Sequence, residues 1–197
     1  QIAFTCSRQH PRWGYESYSE LYIYDFKTKE TRKLPFSQKA FSPTLSNDAT
    51  KLAFIEVDHQ NTHYLVVVNT QSGKELIRKE APYNHQYIEP YWDNNQIVLI
   101  DFINSTNQLL ILDVGTTKMT PVSEKLPYNI QTPFLRDNNI YFSAARTGIQ
   151  NIYRLQNGVI SPVTNCTFGG FNPSLTNTDQ LLFNDYTAKG YRITKDT

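Results

Sequence analysis

Apolar residues in this chain come in short, nearly unbroken blocks: KLAFIEV (51–57), HYLVVVN (63–69), QIVLIDFI (96–103) and QLLILDV (108–114). Each has strand length, is rich in β-branched and aromatic residues, and is bounded by Asn, Asp, Ser or Gly. A strand with no polar alternation has no solvent face, so these blocks predict sheets covered on both sides. No segment carries an apolar stripe of helical period over three turns, which makes the expected fold class all-β.

The blocks belong to a repeat. Four prolines stand at matching places, in FSPTL (Pro43), IEPYW (Pro90), QTPFL (Pro133) and FNPSL (Pro173), spaced by 47, 43 and 40 residues. Each is followed by an Asn/Asp turn and then an apolar strand: KLAFIEV, QIVLIDFI, NIYFSAA and QLLFNDY. A third element follows (ELYIYDFKT, HYLVVVNTQSG, QLLILDVGTTK, QNIYRLQNG, GYRITKD), within which Asp25, Asn69 and Asp113 recur every 44 residues. A fourth, more amphipathic strand closes most units (TRKLPF, ELIRKE, MTPVSE, VISPVTN). With the strands named A to D from the inside outwards, the chain reads BCD, three times ABCD, then ABC. Four strands per unit of about 40–47 residues is the period of a β-propeller blade. About five blades are expected, with the two terminal ones incomplete, over residues 1–38, 39–82, 83–127, 128–167 and 168–197. The unpaired strand edges this leaves predict a fragment of a six- or seven-bladed propeller, with sequence missing on at least one side or a partner filling the gap. Gln1 leads straight into a strand, as expected of a processed or cropped piece.

The motifs resemble the WD-like propeller repeat of the TolB family of Gram-negative envelope proteins. The best match runs from Pro133 to Gly158, where SAARTGIQNIYRLQNG carries Arg146, Gly148, Ile152 and Tyr153. Ser-Asn-Asp-Ala and Asp-Asn-Asn stand where that family has a Ser-Pro-Asp-Gly-like turn. The resemblance implies a non-catalytic interaction or scaffold propeller, periplasmic or associated with the outer membrane, and usually six blades. The segment from Asn165 to Ile193 also looks like repeats in larger envelope proteins that join a propeller to a peptidase or outer-membrane portion. WD repeats proper match less well, because Trp92-Asp93 sits at an A–B turn. Kelch repeats want a Gly-Gly in each blade, and only Gly169-Gly170 is present.

Composition narrows the function. Nineteen basic residues against eighteen acidic ones give a net charge of +1 without a Lys/Arg block, so a nucleic-acid or anionic-membrane surface has no support. No apolar run reaches the roughly 18 residues of a membrane span. Cys6 and Cys166 form no metal or redox motif; they are compatible with one disulfide and read here as buried free thiols. G-x-S-x-G, Walker, G-x-G-x-x-G and H-E-x-x-H patterns do not occur, so no catalytic residue, cofactor or metal is assigned. Asp58, His59 and His63 are the one tight ligand-like group, and read as a solvated B–C loop. Asn104-Ser105-Thr106 and Asn165-Cys166-Thr167 fit the glycosylation pattern, a modification that a bacterial-looking repeat does not favour.

Strand alternation sends the B–C loops and D–A connectors to the same side of each blade. That side carries Arg12, Trp13, Tyr15, Tyr83, His85, Tyr87, Tyr128 and Phe168, residue types that anchor protein interfaces. The bland alternative is that half of them fold under their own loops. Three functions follow for testing. The first is an interaction module binding a protein partner through this loop face. The second is a regulatory or substrate-gating propeller of a larger peptidase or hydrolase, whose active site lies outside this chain. The third is an enzyme with a metal or carbohydrate site among the A strands, which hold few acidic or His residues.

Overall fold

The computed structural model describes residues 1–9, 12, 17–35 and 39–195. The chain divides into two compact units, Gln1–Asn95 and Gln96–Thr197. The first unit contains β1 (Ile2–Gln9), β2 (Ser17–Tyr24), β3 (Thr31–Lys33), β4 (Lys39–Leu45), β5 (Lys51–Val57), β6 (His63–Asn69), β7 (Glu75–Glu80) and β8 (Gln86–Asp93). The second contains β9 (Gln96–Ile103), β10 (Thr106–Asp113), β11 (Met119–Pro121), β12 (Ile130–Arg136), β13 (Asn139–Ala144), β14 (Asn151–Gln156), β15 (Val159–Pro162), β16 (Gly170–Leu175), β17 (Leu181–Thr187) and β18 (Gly190–Lys195). The described residues contain no helix. They form five antiparallel sheets, three of four strands and two of three, with strand order following chain order within each. This is a β-propeller with blades in the pattern BCD, ABCD, ABCD, ABCD, ABC.

The repeat is real at the level of single residues. Leu52, Ile97, Ile140 and Leu181 each lie at the start of strand B and are 0%, 0%, 3% and 6% exposed. Leu45, Leu135 and Leu175 of strand A pair with Leu52, Ile140 and Leu181 respectively. Between the first two sheets, Leu52, Phe54, Val66 and Val68 pack against Leu21, Ile23, Leu34 and Ala40, all buried. Full burial of a side chain of this size is worth about 1.5–3 kcal/mol. That burial explains why strands B and C carry almost no polar residues.

Turn chemistry explains the polar punctuation. Asp25, Asn69 and Asp113 fold their side chains back onto the C–D turn: Oδ1 of each accepts the backbone N–H of Lys27 (2.7 Å), Ser72 (2.9 Å) and Thr116 (2.7 Å). Short side-chain acceptors of this kind replace a missing backbone partner. Asn104-Ser105 and Asp137-Asn138 take left-handed φ values of 48° and 62° at both positions, as two-residue hairpins require.

The four prolines mark a bulge. Ser42, Glu89, Thr132 and Asn172, each immediately before its Pro, have φ between 49° and 52°. In three of the sheets the pairing of strand A slips at this point, between Phe41 and Thr44, Gln131 and Phe134, and Phe171 and Ser174. Proline has no N–H to give to the ladder, and the bulge takes it out of register. Only edge strands tolerate this, and A is an edge strand in each of the four sheets that have one.

The first sheet holds a charged knot. Glu20 of β2 is 8% exposed and accepts from Tyr22 Oη (2.7 Å), Arg8 Nε (3.1 Å) and Lys33 Nζ. These donors, Lys33 foremost, then Tyr22 and Arg8, hold its carboxyl down at about 2. An ordinary Glu titrates near 4.3. The folded state therefore binds this proton less readily than the unfolded chain. The stabilisation is complete above about pH 4.3 and drains away as pH falls towards 2. Between pH 5 and pH 2 the urea midpoint of the native chain is expected to fall more steeply than that of Glu20→Gln. Parallel slopes would show that Glu20 contributes nothing.

Candidate interaction loops

The D–A connectors do not hang free. In four successive sheets a residue near the start of strand C reaches across to the connector that leads into the next A strand, or to the first residues of that strand. In the first, Ser19 Oγ donates to the Ala40 carbonyl (2.5 Å) and accepts the Ala40 N–H (2.6 Å). In the second, His63 Nδ1 lies 3.1 Å from the Tyr87 carbonyl, a contact that requires the ring proton on Nδ1. In the third, Asn107 exchanges both backbone hydrogen bonds with Leu126, and its Nδ2 donates to the Tyr128 carbonyl (2.9 Å). In the fourth, Asn151 Oδ1 accepts from the Cys166 N–H (2.7 Å) and Thr164 Oγ1 (3.1 Å), while Thr164 Oγ1 accepts the Ile152 N–H (2.9 Å).

Ser19, His63, Asn107 and Asn151 stand 44 residues apart each time. Ser19, Asn107 and Asn151 are buried, at 4%, 2% and 6% exposure. Backbone groups of the segment leading into the next sheet satisfy Ser19 Oγ, Asn107 Nδ2 and Asn151 Oδ1, whereas Asn107 Oδ1 is buried with no hydrogen-bond partner among the described residues. These four clasps were missed in the sequence because their residue types differ. The signal that would have found them was the 44-residue spacing already noticed for Asp25, Asn69 and Asp113.

The expected anchors separate into groups. In the first unit Tyr83 is 91% exposed at the tip of its connector, and Arg12 is exposed in the β1–β2 loop. His85 is half-buried, with its N–H bonded to the Pro82 carbonyl, which tightens the turn beneath Tyr83. Tyr87 is 5% exposed and belongs to the interior, because it lies in β8 facing the sheet core. Trp13 and Tyr15 lie outside the described residues. In the second unit Phe168 is 59% exposed and Tyr128 half-buried. Phe168 borders an open cleft of about 400 Å³ lined also by Cys166, Phe183, Asp185, Tyr186 and Arg192. There Asp185 Oδ2 accepts from Arg192 Nη2 at 2.8 Å.

The motif residues of the fourth sheet act as supports. Arg146 Nη1 reaches the Ile160 carbonyl (3.5 Å), tying the B–C loop to strand D, and Gly148 takes φ 92°. Ile152 packs against Leu181 and Phe183, and Tyr153 stacks on Phe142 at 6.1 Å. Asp58 caps its own loop by accepting from the Gln60 (2.9 Å) and Thr62 (2.8 Å) N–H groups, which holds its carboxyl below the usual range. Among the described residues no three His, Cys, Asp or Glu side chains lie together as a metal site would require. Cys6 and Cys166 are not disulfide-bonded, and both are half-buried where full burial was expected. Cys166 lines the cleft, and Cys6 lies opposite Glu20, on the face of the first sheet away from the one that Leu21 and Ile23 pack against the second sheet.

Solved structures bear on the architecture. TolB from Acinetobacter baumannii superposes with a TM-score of 0.70 at 15% identity, over 90% of this chain and 46% of that one. A TolB from Agrobacterium tumefaciens gives 0.72 at 15% identity, over 98% of this chain and 76% of that one. The fold is a TolB-like β-propeller. The β-propeller domain of the Trilobed protease from Pyrococcus furiosus follows with 0.59 at 14% identity, over 98% of this chain and 75% of that domain. This propeller therefore spans about half the length of the Acinetobacter TolB. No family model and no curated protein matches its sequence.

Proposed function

We propose that this propeller is a non-catalytic interaction module that grips a protein partner of the cell envelope through its B–C loops and D–A connectors. One observation carries the reading. Tyr83, 91% exposed, projects from a connector whose base is fixed by His63 and by the Pro82–His85 turn. An aromatic side chain standing in water on a rigid base loses little entropy on docking and buries a large apolar area. Phe168 repeats the arrangement above the Asn151 clasp. The likeness to TolB structures supports the class, and the envelope location rests on the same resemblance.

A photo-crosslinking amino acid tests it. Placed at position 83 or 168 of the chain in living bacteria, it is expected to capture the same envelope protein. Placed at Lys27 or Thr116, on C–D turns at the other end of their strands, it should capture nothing. Capture from the C–D turns alone would assign the wrong end of the strands.

The likeness to the Trilobed protease propeller favours a second reading, a regulatory or substrate-gating domain of a larger hydrolase. A serine-hydrolase or zinc-peptidase domain in the same open reading frame would select it.

A further inference from the structure

Arg154 stands where the rest of the repeat puts an aliphatic side chain. In strand C of the first four sheets, Ile23, Val67, Ile111 and Arg154 pair respectively with Ala3, Ala53, Val98 and Tyr141. These partners are equivalent, because each directly follows Ile2, Leu52, Ile97 or Ile140 at the start of strand B. Ile23 and Val67 are 3% and 0% exposed, and Ile111 is half-buried. Arg154 is half-buried as well, with its Nε closed off from solvent.

This cation is not answered. Nε has no hydrogen-bond partner among the described residues, and no hydrogen bond or ion pair joins the guanidinium to any of them. Glu20 and Glu56, by contrast, meet Lys33 and Arg78. An unpaired charge held away from water is costly, and a buried donor without an acceptor calls for a cause. Arg136 Nε and Asn139 Oδ1, on register partners, are also buried without partners. Three of the five such atoms among the described residues therefore share one face of the fourth sheet, the face whose Tyr141 and Ile152 pack towards the fifth.

Beside Arg154 lies an open cleft of about 440 Å³. It is lined by Tyr141 and Ser161, the cross-strand neighbours of Arg154, and by Leu175, Asp179 and Gln180 of the fifth sheet and its A–B turn. The chemistry of this lining is selective. A guanidinium presents a planar fork of donors that matches a carboxylate or a phosphate. Ser161 adds a hydroxyl next to that fork. Asp179, exposed on its turn, brings one negative charge that repels a dianion more than a monoanion. Tyr141 and Leu175 belong to the apolar cluster around Leu181, so one wall suits a hydrocarbon surface.

We propose that this cleft binds an organic monocarboxylate, whose carboxylate takes up the donors of Arg154 and whose apolar part lies along Tyr141 and Leu175. The carboxylate belongs either to a free small acid or to the end of a polypeptide, which share this chemistry. The site involves neither Tyr83 nor Phe168, so its fate is independent of the function proposed above.

Nuclear magnetic resonance of the isotope-labelled chain tests it, because the Nε–H of Arg154 is itself observable. N-acetyl-leucine is titrated beside its neutral amide and beside inorganic phosphate. The acid is expected to shift the Arg154 Nε–H and the backbone amides of residues 175–181 saturably, with a Kd of about 10 mM or below. The neutral amide should leave them in place, and phosphate should bind at least about tenfold more weakly than the acid. Arg154→Ile, the residue type the repeat carries here, should abolish the response to the acid and leave Tm unchanged or higher, since it removes an unpaired charge. Equal shifts from acid and amide, an unchanged response in Arg154→Ile, or tighter binding of phosphate overturns the proposal. So does a fall in Tm for Arg154→Ile, which would mean that the guanidinium is already satisfied within the fold. A short peptide ending in a free Leu carboxylate separates the two sources: tighter binding than N-acetyl-leucine assigns the cleft to a polypeptide end, and equal or weaker binding to a free acid.

Discussion

Phe54→Ala is expected to cost about 3–5 kcal/mol of unfolding free energy, the usual loss when an aromatic side chain is cut out of a closed core. Phe54 is fully buried, and its ring lies in the cluster formed by Leu21, Ile23 and Leu34 of the first sheet with Leu52, Val66 and Val68 of the second. These neighbours are themselves held in two separate ladders, β1–β3 and β4–β7, so they cannot close over the space. The lost contact and the residual cavity therefore add. Tyr83→Ala removes a ring of similar size from solvent and should stay within about 0.5 kcal/mol. Urea unfolding of both variants checks the pair. A loss below about 1 kcal/mol for Phe54→Ala would mean that the first two sheets are not packed together as described.

Asn151→Ala should show the second-largest effect, about 1–3 kcal/mol, because it takes the acceptor from the Cys166 N–H at a part-buried site. The damage is not confined to stability. The same oxygen accepts from Thr164 Oγ1, so one deletion removes two bonds between connector and strand C and leaves Thr164 Oγ1 held only through the Ile152 N–H. Amide exchange over residues 164–170 is expected to quicken well beyond that over 51–57, the B strand of the second sheet. Uniform acceleration across both would mean that Asn151 stabilises the fold without positioning Phe168. Asn107→Ala, which frees the Tyr128 carbonyl, should repeat the pattern in residues 126–130.

The architecture was legible because its causes are local. KLAFIEV and HYLVVVN are apolar along their middles since both sheet faces are packed, and the strands that follow the four prolines gave four of the sheets, the first being legible from ELYIYDFKT and TRKLPF without an A strand. Glu20 and Glu56, by contrast, look like surface residues in a string. They are buried at 8% and 7% only because Lys33 and Arg78 arrive from strand D to satisfy them. The clasps were hidden for a related reason. Hydroxyl, imidazole and amide can each hold a backbone group, so geometry is repeated while residue type is not. Tyr87 and Tyr83 show where composition fails: both are aromatic and four residues apart, yet one lies in a strand facing the interior and the other at a loop tip.

The left-handed step before each proline has a bearing on how the chain behaves in a crowded cell. An exposed sheet margin invites foreign strands to zip onto it, as in amyloid growth. Margins formed by β4, β12 and β16 are interrupted midway by a slipped register and an imino acid, so an incoming strand finds no continuous row of donors and acceptors. β1 and β18 have neither proline nor slip over their whole lengths. β3 shares that lack but is only three residues long, so misassembly into fibres would start from β1 or β18.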